Sequence, residues 1–238
     1  MDVRVILVEP KLEENIGAVA RVMKNFGFSE LYLVRPRSIG RKALTVASHA
    51  ADVVESCVIT PSLEEALRGS DIAIGTTAKL ATSERKHLRA FLTPRELKNV
   101  CRGKVSIVFG REDVGLLNEE LRMCDVVVHI PTDRRYPVMN VSHAAAVILY
   151  ELYLGSKTQR KRGRGRLGRP ASFEERTQFY EHLLQFLDKI QYAEHKKERA
   201  LLVVKRIFGR AAVTSRELRA LRGILRKAIW CLSGEHAA

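Results

Sequence analysis

Closely spaced metal ligands are scarce in this chain of 238 residues. Its four cysteines stand far apart, at positions 57, 101, 124 and 231, and its seven histidines form neither an HxH nor an HExxH pattern. Structural zinc sites depend on cysteine and histidine ligands at short, regular spacings. We therefore expect reduced, mostly structural thiols and no metal centre.

Long apolar runs are absent as well. The longest candidate, residues 144–154, contains Glu151, so nothing approaches the roughly 20 residues that cross a bilayer. The segment MDVRVILVE has a strand-like pattern and lacks the basic-then-apolar pattern of a secretion signal. These features predict a cytoplasmic protein with no membrane partner.

Acidic residues are scarce in one part of the chain. The sequence has 41 Lys+Arg and 27 Asp+Glu, but residues 155–238 contain 20 of the basic residues and only 8 of the acidic ones. Between positions 157 and 169 there is no acidic residue, and seven of the thirteen are basic. Such concentrated positive charge is typical of nucleic-acid-binding proteins. A solvated tail that only promotes solubility is the less favoured interpretation.

Residues 1–154 alternate between strand-like and helical patterns. Strands are predicted at residues 3–8, 31–34, 53–59, 71–74, 105–109 and 126–130. Helices are predicted at residues 15–26, 63–67, 94–99, 117–123 and 142–154. This alternation predicts an α/β domain with a mainly parallel sheet covered by helices on both faces.

The rest of the chain divides into two segments. Residues 155–170, GSKTQRKRGRGRLGRP, are predicted to be a flexible basic linker, and residues 171–238 a basic α-helical appendage. Thr214 and Glu217 form a capping-box pattern ahead of its last helix. The linker contains a GxGxxG pattern, but no strand precedes it and no acidic residue follows at the required distance. No dinucleotide site is therefore predicted there.

The first motif, NIGAVARVMKNFGF, follows the first strand. Asn15 is a candidate helix N-cap, and Arg21 is either a solvated cation or a group directed into a cleft at the strand end. Gly17 lies on the same helix face as Arg21 and would let a ligand or a neighbouring backbone approach closely. Spacing alone leaves the role of Arg21 open.

Two further motifs begin where predicted strands end. In VFGREDVGL, Gly110 ends a strand, Glu112 follows and Gly115 precedes a helix, which fits either a ligand-binding turn or an ordinary one. In IPTDRRYPVMNVSHAA, Asn140 stands just before a helix and is a candidate N-cap. His143 lies in a mostly apolar run, which favours a packed or hydrogen-bonded histidine over a general base.

Together the three motifs resemble the SPOUT class of S-adenosylmethionine-dependent RNA methyltransferases, and within it the TrmJ branch of tRNA ribose 2′-O-methyltransferases. The tail segment KRIFGRAAVTSRELRALRGILRK resembles the C-terminal helical region of that branch. The resemblance implies a deep C-terminal trefoil knot and a homodimer with its active site across the subunit interface. It also implies S-adenosyl-L-methionine as cofactor and tRNA as partner, with methylation at nucleotide 32 of the anticodon loop.

The resemblance also assigns roles to individual residues. Arg21 matches the catalytic arginine of the family, and Asn15 and Asn140 match its motif asparagines. Backbone groups would hold the cofactor at Thr76, Thr77, Ala78, Gly110, Ile130, Pro137, Val138 and Met139. RNA-binding residues are expected at Lys79 and Arg111 and, because of the positive charge of the linker, at Arg160, Lys161, Arg162, Arg164 and Arg166. Val138 departs from the pattern, since many relatives carry serine there.

Two alternatives remain open. An enzyme of this class could methylate ribosomal RNA or another tRNA position, and a noncatalytic RNA-binding protein could retain the fold. The intact Asn15, Arg21, Gly110 and Asn140 argue against loss of activity, whereas Val138 favours it. Cofactor binding distinguishes an enzyme from a noncatalytic protein.

Overall fold

A single parallel sheet forms the centre of the first domain. The computed structural model describes residues 2–78, 91–161, 169–211 and 213–233. Its strands are β1 (Asp2–Val8), β2 (Glu30–Val34), β3 (Val58–Thr60), β4 (Ile72–Thr77), β5 (Phe91–Leu92), β6 (Lys104–Phe109) and β7 (Val126–His129). Their order is β3-β2-β1-β6-β4-β7-β5, and every neighbouring pair is parallel. The predicted α/β architecture is confirmed.

Helices cover both faces of this sheet. They are α1 (Glu13–Asn25), α2 (Arg41–Ala47), α3 (Ala51–Glu55), α4 (Leu63–Leu67), α5 (Leu97–Val100), α6 (Asn118–Met123) and α7 (Val141–Lys161). Along β1, Val5 and Leu7 lie in the larger core with α1, α2, α3, α5 and α7, whereas Ile6 and Val8 lie in the smaller core with α4. This follows from the two-residue alternation of side chains along a strand.

The strand predicted at residues 53–59 is wrong. Its apolar run divides between two elements, because Val53 and Val54 lie in α3 and are buried in the larger core. The strand begins only at Val58 and pairs with β2 alone. As a short edge strand it leaves Ile59 60% exposed, so its apolar residues did not mark a buried segment.

The last helix of the first domain is longer than predicted. α7 continues to Lys161 and takes in the first part of the predicted linker, residues 155–170. Gly155 lies inside this helix at the point where it packs against α5. An added Cβ there would lie 3.0 Å from the Cβ of Lys98 in α5. The glycine therefore permits close packing, and the predicted linker begins too early.

The C-terminal segment forms a helical unit with its own core. It contains α8 (Phe173–Lys189), α9 (Glu194–Ala211) and α10 (Ser215–Leu232). Phe179 of α8 packs against Phe208 of α9, with ring centroids 5.0 Å apart. The predicted capping box of α10 is confirmed, because the backbone N–H of Glu217 donates to Thr214 Oγ1 and the Glu217 carboxylate accepts from the backbone N–H of Thr214.

A buried ion pair anchors the helical unit on the first domain. Arg176 of α8 donates to Asp125 Oδ2 at 2.9 Å, and each side chain is 6% exposed. The same guanidinium donates to the backbone carbonyl oxygens of Asp71 and Ala171. Asp71 and Asp125 directly precede β4 and β7. The helical unit is thus docked at the amino ends of these strands.

We expect Arg176→Leu to lower the free energy of unfolding by about 3–5 kcal/mol, because it leaves the Asp125 carboxylate buried without its charged partner. Arg169→Leu is the matched control, since Arg169 pairs with Glu175 at the surface and exposed pairs contribute about 0–1 kcal/mol. Denaturant unfolding followed by circular dichroism measures both variants. Equal losses in the two would contradict the anchoring role.

Candidate active site

The carboxyl ends of four neighbouring strands lie side by side at one edge of the sheet. The three sequence motifs follow β1, β6 and β7, and the end of β4 lies between the last two, because the strand order is β1-β6-β4-β7. Open parallel sheets bind their ligands at this edge. Motifs that are distant in the sequence are therefore adjacent in the fold.

Asn15, Glu112 and Asn140 form a hydrogen-bonded cluster that joins the three motifs. Asn15 Nδ2 donates to Glu112 Oε1 at 2.9 Å, and Asn140 Nδ2 donates to Asn15 Oδ1 at 3.0 Å. Asn15 is buried, and both ends of its side-chain amide are bonded. The cluster therefore fixes the orientation of the Asn15 amide.

Glu112 also binds the start of α1. Its carboxylate accepts from the backbone N–H groups of Lys11, at 3.1 Å, and Leu12, at 3.2 Å. Burial alone would raise the pKa of Glu112, but these hydrogen bonds and the one from Asn15 hold the pKa below its usual value. Glu112 is the site residue that the sequence analysis did not assign. Its signal was an acidic residue between two glycines directly after a strand.

The N-cap prediction is wrong for Asn15 and confirmed for Asn140. Helix α1 begins at Glu13, so Asn15 lies within its first turn and its side chain bonds to the other motifs instead. Asn140 directly precedes α7, and its Oδ1 accepts from the backbone N–H of Ser142 at 2.8 Å. His143 is exposed on the first turn of α7, so it is not a packed histidine.

The loop that presents Glu112 is closed on itself. Arg111 and Gly115 exchange backbone hydrogen bonds of 3.0 and 3.2 Å. Gly110 lies beneath this loop, where a Cβ would be 2.1 Å from the Gly115 carbonyl carbon. Gly115 has a φ of +71°, which glycine adopts without strain. Both glycines are therefore required by the turn itself.

Arg21 lies on the face of α1 that carries Gly17. A Cβ at Gly17 would lie 2.3 Å from the carbonyl oxygen of Ala43 in α2, so this glycine admits a neighbouring backbone rather than a ligand. The sequence analysis did not predict α2. Arg21 is exposed and makes no hydrogen bond or ion pair with the residues that the structure describes.

The strand ends place most of the predicted cofactor-binding residues side by side. Gly75 is paired with Val108, and Thr77 with His129, so the end of β4 lies level with the ends of β6 and β7. Thr76 Oγ1 donates to the Val108 carbonyl oxygen at 3.0 Å. The predicted residues at these ends, Thr76, Thr77, Ala78, Gly110 and Ile130, are all half-buried.

The loop after β7 contributes the remaining predicted cofactor contacts. Thr132 Oγ1 donates to the Pro137 carbonyl oxygen at 3.1 Å and so closes the loop. Val138 is 52% exposed, whereas Met139 is half-buried next to Asn140. The loop therefore exposes Val138 to solvent and partly covers Met139.

The predicted RNA contact of Arg111 does not fit its position. Its guanidinium donates to Glu9 at 2.7 Å and to both carboxylate oxygens of Glu120 at 2.9 and 3.0 Å, and the side chain is 8% exposed. A phosphate would have to displace these carboxylates. Lys79, Arg162, Arg164 and Arg166 lie outside the described residues, as do the side chains of Arg160 and Lys161, which are at the end of α7.

The described ranges contain no metal-binding cluster, and burial suppresses ionisation of two of their thiols. No cluster of three or more His, Cys, Asp or Glu side chains there could hold a metal ion. No helix in those ranges is long and apolar enough to span a bilayer. Burial raises the pKa of Cys101 to about 12 and also raises that of Cys124. Both buried thiols are therefore protonated near neutral pH.

Comparison with known proteins identifies the class of this fold and site. Residues 2–150 match the SpoU rRNA Methylase family, and residues 174–237 match the C-terminal domain of tRNA methyltransferase TrmJ. A solved structure of TrmJ from Z. mobilis ZM4 superposes with a TM-score of 0.75 at 26% identity, covering 95% of this chain and 99% of that one. The fold is that of a SpoU-type RNA methyltransferase.

Two relatives match over nearly their whole length. The tRNA (cytidine-2′-O-)-methyltransferase TrmJ of Methanocaldococcus jannaschii is 40% identical over 90% of this chain and 94% of its own. The tRNA (cytidine/uridine/adenosine-2′-O-)-methyltransferase TrmJ of Pseudomonas aeruginosa is 35% identical over 94% of this chain and 92% of its own. The chain belongs to the TrmJ branch of the SpoU methylase family.

Glu112→Gln tests the charge at the centre of the cluster. A carboxylate whose pKa is lowered by folding stabilises the protein above its unfolded-state pKa, and this contribution is lost as the pH falls through the folded-state pKa. We therefore expect the variant to be less stable at pH 7, by about 1–3 kcal/mol, and the deficit to shrink between about pH 5 and pH 3.

Denaturant unfolding at a series of pH values measures this difference. Glu119→Gln is the control, because it removes an exposed carboxylate from α6 and should cost less at pH 7. A deficit for Glu112→Gln that stays constant as the pH falls would show that shape, not charge, is what the cluster requires.

Proposed function

We propose that this protein transfers a methyl group from S-adenosyl-L-methionine to a ribose 2′-hydroxyl of tRNA. The observation that carries the proposal is the Asn15–Glu112–Asn140 cluster, which lies beside the strand ends of a SpoU-type fold in a chain that also has the TrmJ C-terminal domain. The target is nucleotide 32 of the anticodon loop, with cytidine, uridine or both as the accepted base.

The predicted cofactor-binding residues fit the cofactor. The residues at the ends of β4, β6 and β7 are uncharged and half-buried, which suits an adenine ring held by backbone N–H and C=O groups. S-adenosyl-L-methionine, when bound, supplies an electrophilic methyl group on a sulfonium. Ile130 packs against the larger core, so this wall of the site is rigid.

Arg21 is the residue that stabilises the negative charge developing on the ribose 2′-oxygen. A ribose hydroxyl is a weak nucleophile, and a guanidinium is protonated at every accessible pH. Arg21 therefore stabilises the forming alkoxide and orients a substrate phosphate, which can itself accept the proton. Its exposed position on α1, without an ion-pair partner in the described residues, leaves the guanidinium accessible to RNA.

The cluster has a positioning role in this mechanism. Asn15 and Arg21 lie on the same helix, α1, whose start is bound by Glu112. Fixing the beginning of the helix fixes the direction from which Arg21 approaches the substrate. In-line displacement requires the ribose oxygen, the methyl carbon and the sulfur to lie nearly on one line. The residue that orients the oxygen must therefore itself be held in a fixed position.

We also propose that the protein forms a homodimer and that its chain contains a trefoil knot. Several large apolar side chains are exposed near the carboxyl edge, namely Leu12, Val114, Leu117, Tyr136 and Val138. A second copy that covers this edge would bury them and complete the site. The proximity of the strand ends of β4, β6 and β7 is consistent with the knotted loops of the family.

The helical unit is proposed to bind tRNA, and the protein to act in the cytoplasm. The positive charge of residues 155–238 suits phosphate contacts, which supply affinity and salt dependence. Removing this region whole would unpair Asp125. Its role is therefore better tested by surface substitutions than by truncation.

Substitution of Arg21 tests the mechanism. We expect Arg21→Ala to lose nearly all methyl transfer, and Arg21→Lys to keep part of it, because lysine retains the charge but not the planar fork. Arg68→Ala, which removes an exposed cation from the opposite end of the sheet, is the control. Equal loss in the alanine and lysine variants, with tRNA and cofactor binding intact, would contradict a charge-based role.

The reaction itself is tested with methyl-labelled S-adenosyl-L-methionine and unmodified tRNA transcripts, followed by mass-spectrometric mapping. We expect a 2′-O-methyl group at nucleotide 32 that is absent with Arg21→Ala. A 2′-O-methyl group at another tRNA position, or on ribosomal RNA, would support the enzyme class but identify a different substrate. Absence of both methylation and cofactor binding would establish a noncatalytic RNA-binding protein.

A further inference from the structure

The outer face of α10 has an unusual composition. The residues of this face recur at intervals of about three or four and so lie along one side of the helix. They are Arg216, Arg219, Gly223, Arg226, Lys227 and Trp230. The charged and aromatic members of this set are exposed. The opposite side of the helix carries Leu218 and Leu225, which pack in the core of the helical unit.

The four cations of this face lack acidic partners. Within the described residues, none of them forms an ion pair. Arg219 Nε donates only to the Ser215 carbonyl oxygen of its own helix, at 3.2 Å. Two cations elsewhere in the same unit are paired, Arg176 with Asp125 and Lys197 with Asp188. Like charges at this spacing repel one another, so the face is suited to a polyanion.

The aromatic and glycine residues narrow the choice of polyanion. Trp230 lies at the end of the face, and the Lys227 ammonium is 3.4 Å from its ring centroid. An exposed tryptophan among cations is the combination with which proteins stack unpaired bases beside phosphates. Gly223 lies between the cations, and an added Cβ would meet no atom within 4 Å. A ligand backbone can therefore approach the helix there.

We propose that this face, the α10 surface, binds tRNA phosphates through its four cations and stacks one unpaired base on Trp230. This inference rests on tRNA being the substrate. The helical unit is docked at the amino ends of β4 and β7, and these strands separate it from the candidate active site of the same chain by about 15–20 Å. Within one subunit, the bound segment is therefore distinct from the methylated nucleotide.

The cation part of the proposal is tested with the double variant Arg219→Ala/Arg226→Ala in the full chain. We expect tRNA affinity to fall roughly tenfold and the slope of log affinity against log salt to become shallower by about 1.4–1.8, since each of the two lost phosphate contacts removes about 0.7–0.9. Lys189→Ala/Lys196→Ala removes the same charge from α8 and α9 of that unit and should change affinity less than about twofold, as expected for cations that touch no phosphate. An unchanged salt slope in the first variant would overturn the proposal.

The stacking part is tested with Trp230→Ala and Trp230→Phe. We expect alanine to weaken tRNA binding roughly tenfold and phenylalanine to restore most of the affinity, because stacking requires an aromatic face. Equal affinity in the two variants would overturn the stacking role. Circular dichroism verifies that each variant is folded.

The assays separate this inference from the proposed enzyme activity. Binding is measured without cofactor, so a wild-type protein that binds tRNA through the α10 surface but does not methylate it would refute the activity and leave the surface intact. In the enzyme, saturating tRNA should restore the turnover of the double variant, because its defect is in binding. A reduced turnover at saturation would contradict a surface remote from the chemistry.

Discussion

The carboxylate of Glu112 is the group on which the candidate site depends. It accepts hydrogen bonds from the side chain of Asn15 and from the backbone N–H groups of Lys11 and Leu12, which directly precede α1. A half-buried negative charge is stabilised when donors surround it, and here the donors lie at the start of α1. These bonds join the second motif to the first, and the hydrogen bond from Asn140 to Asn15 Oδ1 adds the third motif. The cluster therefore sets the position of the helix that carries Arg21.

The two ends of the sheet have different tasks. At the carboxyl edge, the ends of β4, β6 and β7 carry half-buried, uncharged residues suited to a small cofactor. At the amino edge, the pair of Arg176 and Asp125 is buried and joins the helical unit to the sheet. Because a buried pair cannot be separated cheaply, the helical unit is a fixed part of the molecule. Its unpaired cations therefore lie at a defined place relative to the site.

Local patterns predicted well the central strands, which are buried on both faces, and the helix start whose capping residues are close in the sequence. The strands at β1 and β6 and the capping box of α10 are correct because apolar spacing and short-range hydrogen bonds fully specify them. The strand prediction for residues 53–59 failed because an apolar run does not show whether it packs as a helix or pairs at a sheet edge. The predicted start of the linker at Gly155 failed for a similar reason, since a glycine can permit close packing as well as flexibility.

The sequence by itself determined the α/β class, the division between a neutral first domain and a basic tail, and the motifs that contain Asn15, Arg21 and Asn140. Those features depend on composition and on contacts within a few residues. Only the tertiary structure decided that Asn15 bonds to Glu112, that Arg111 is occupied by Glu9 and Glu120, and that Gly17 admits α2. Most of these contacts join residues far apart in the chain, and no local pattern encodes which distant partner the folded backbone brings within hydrogen-bonding distance.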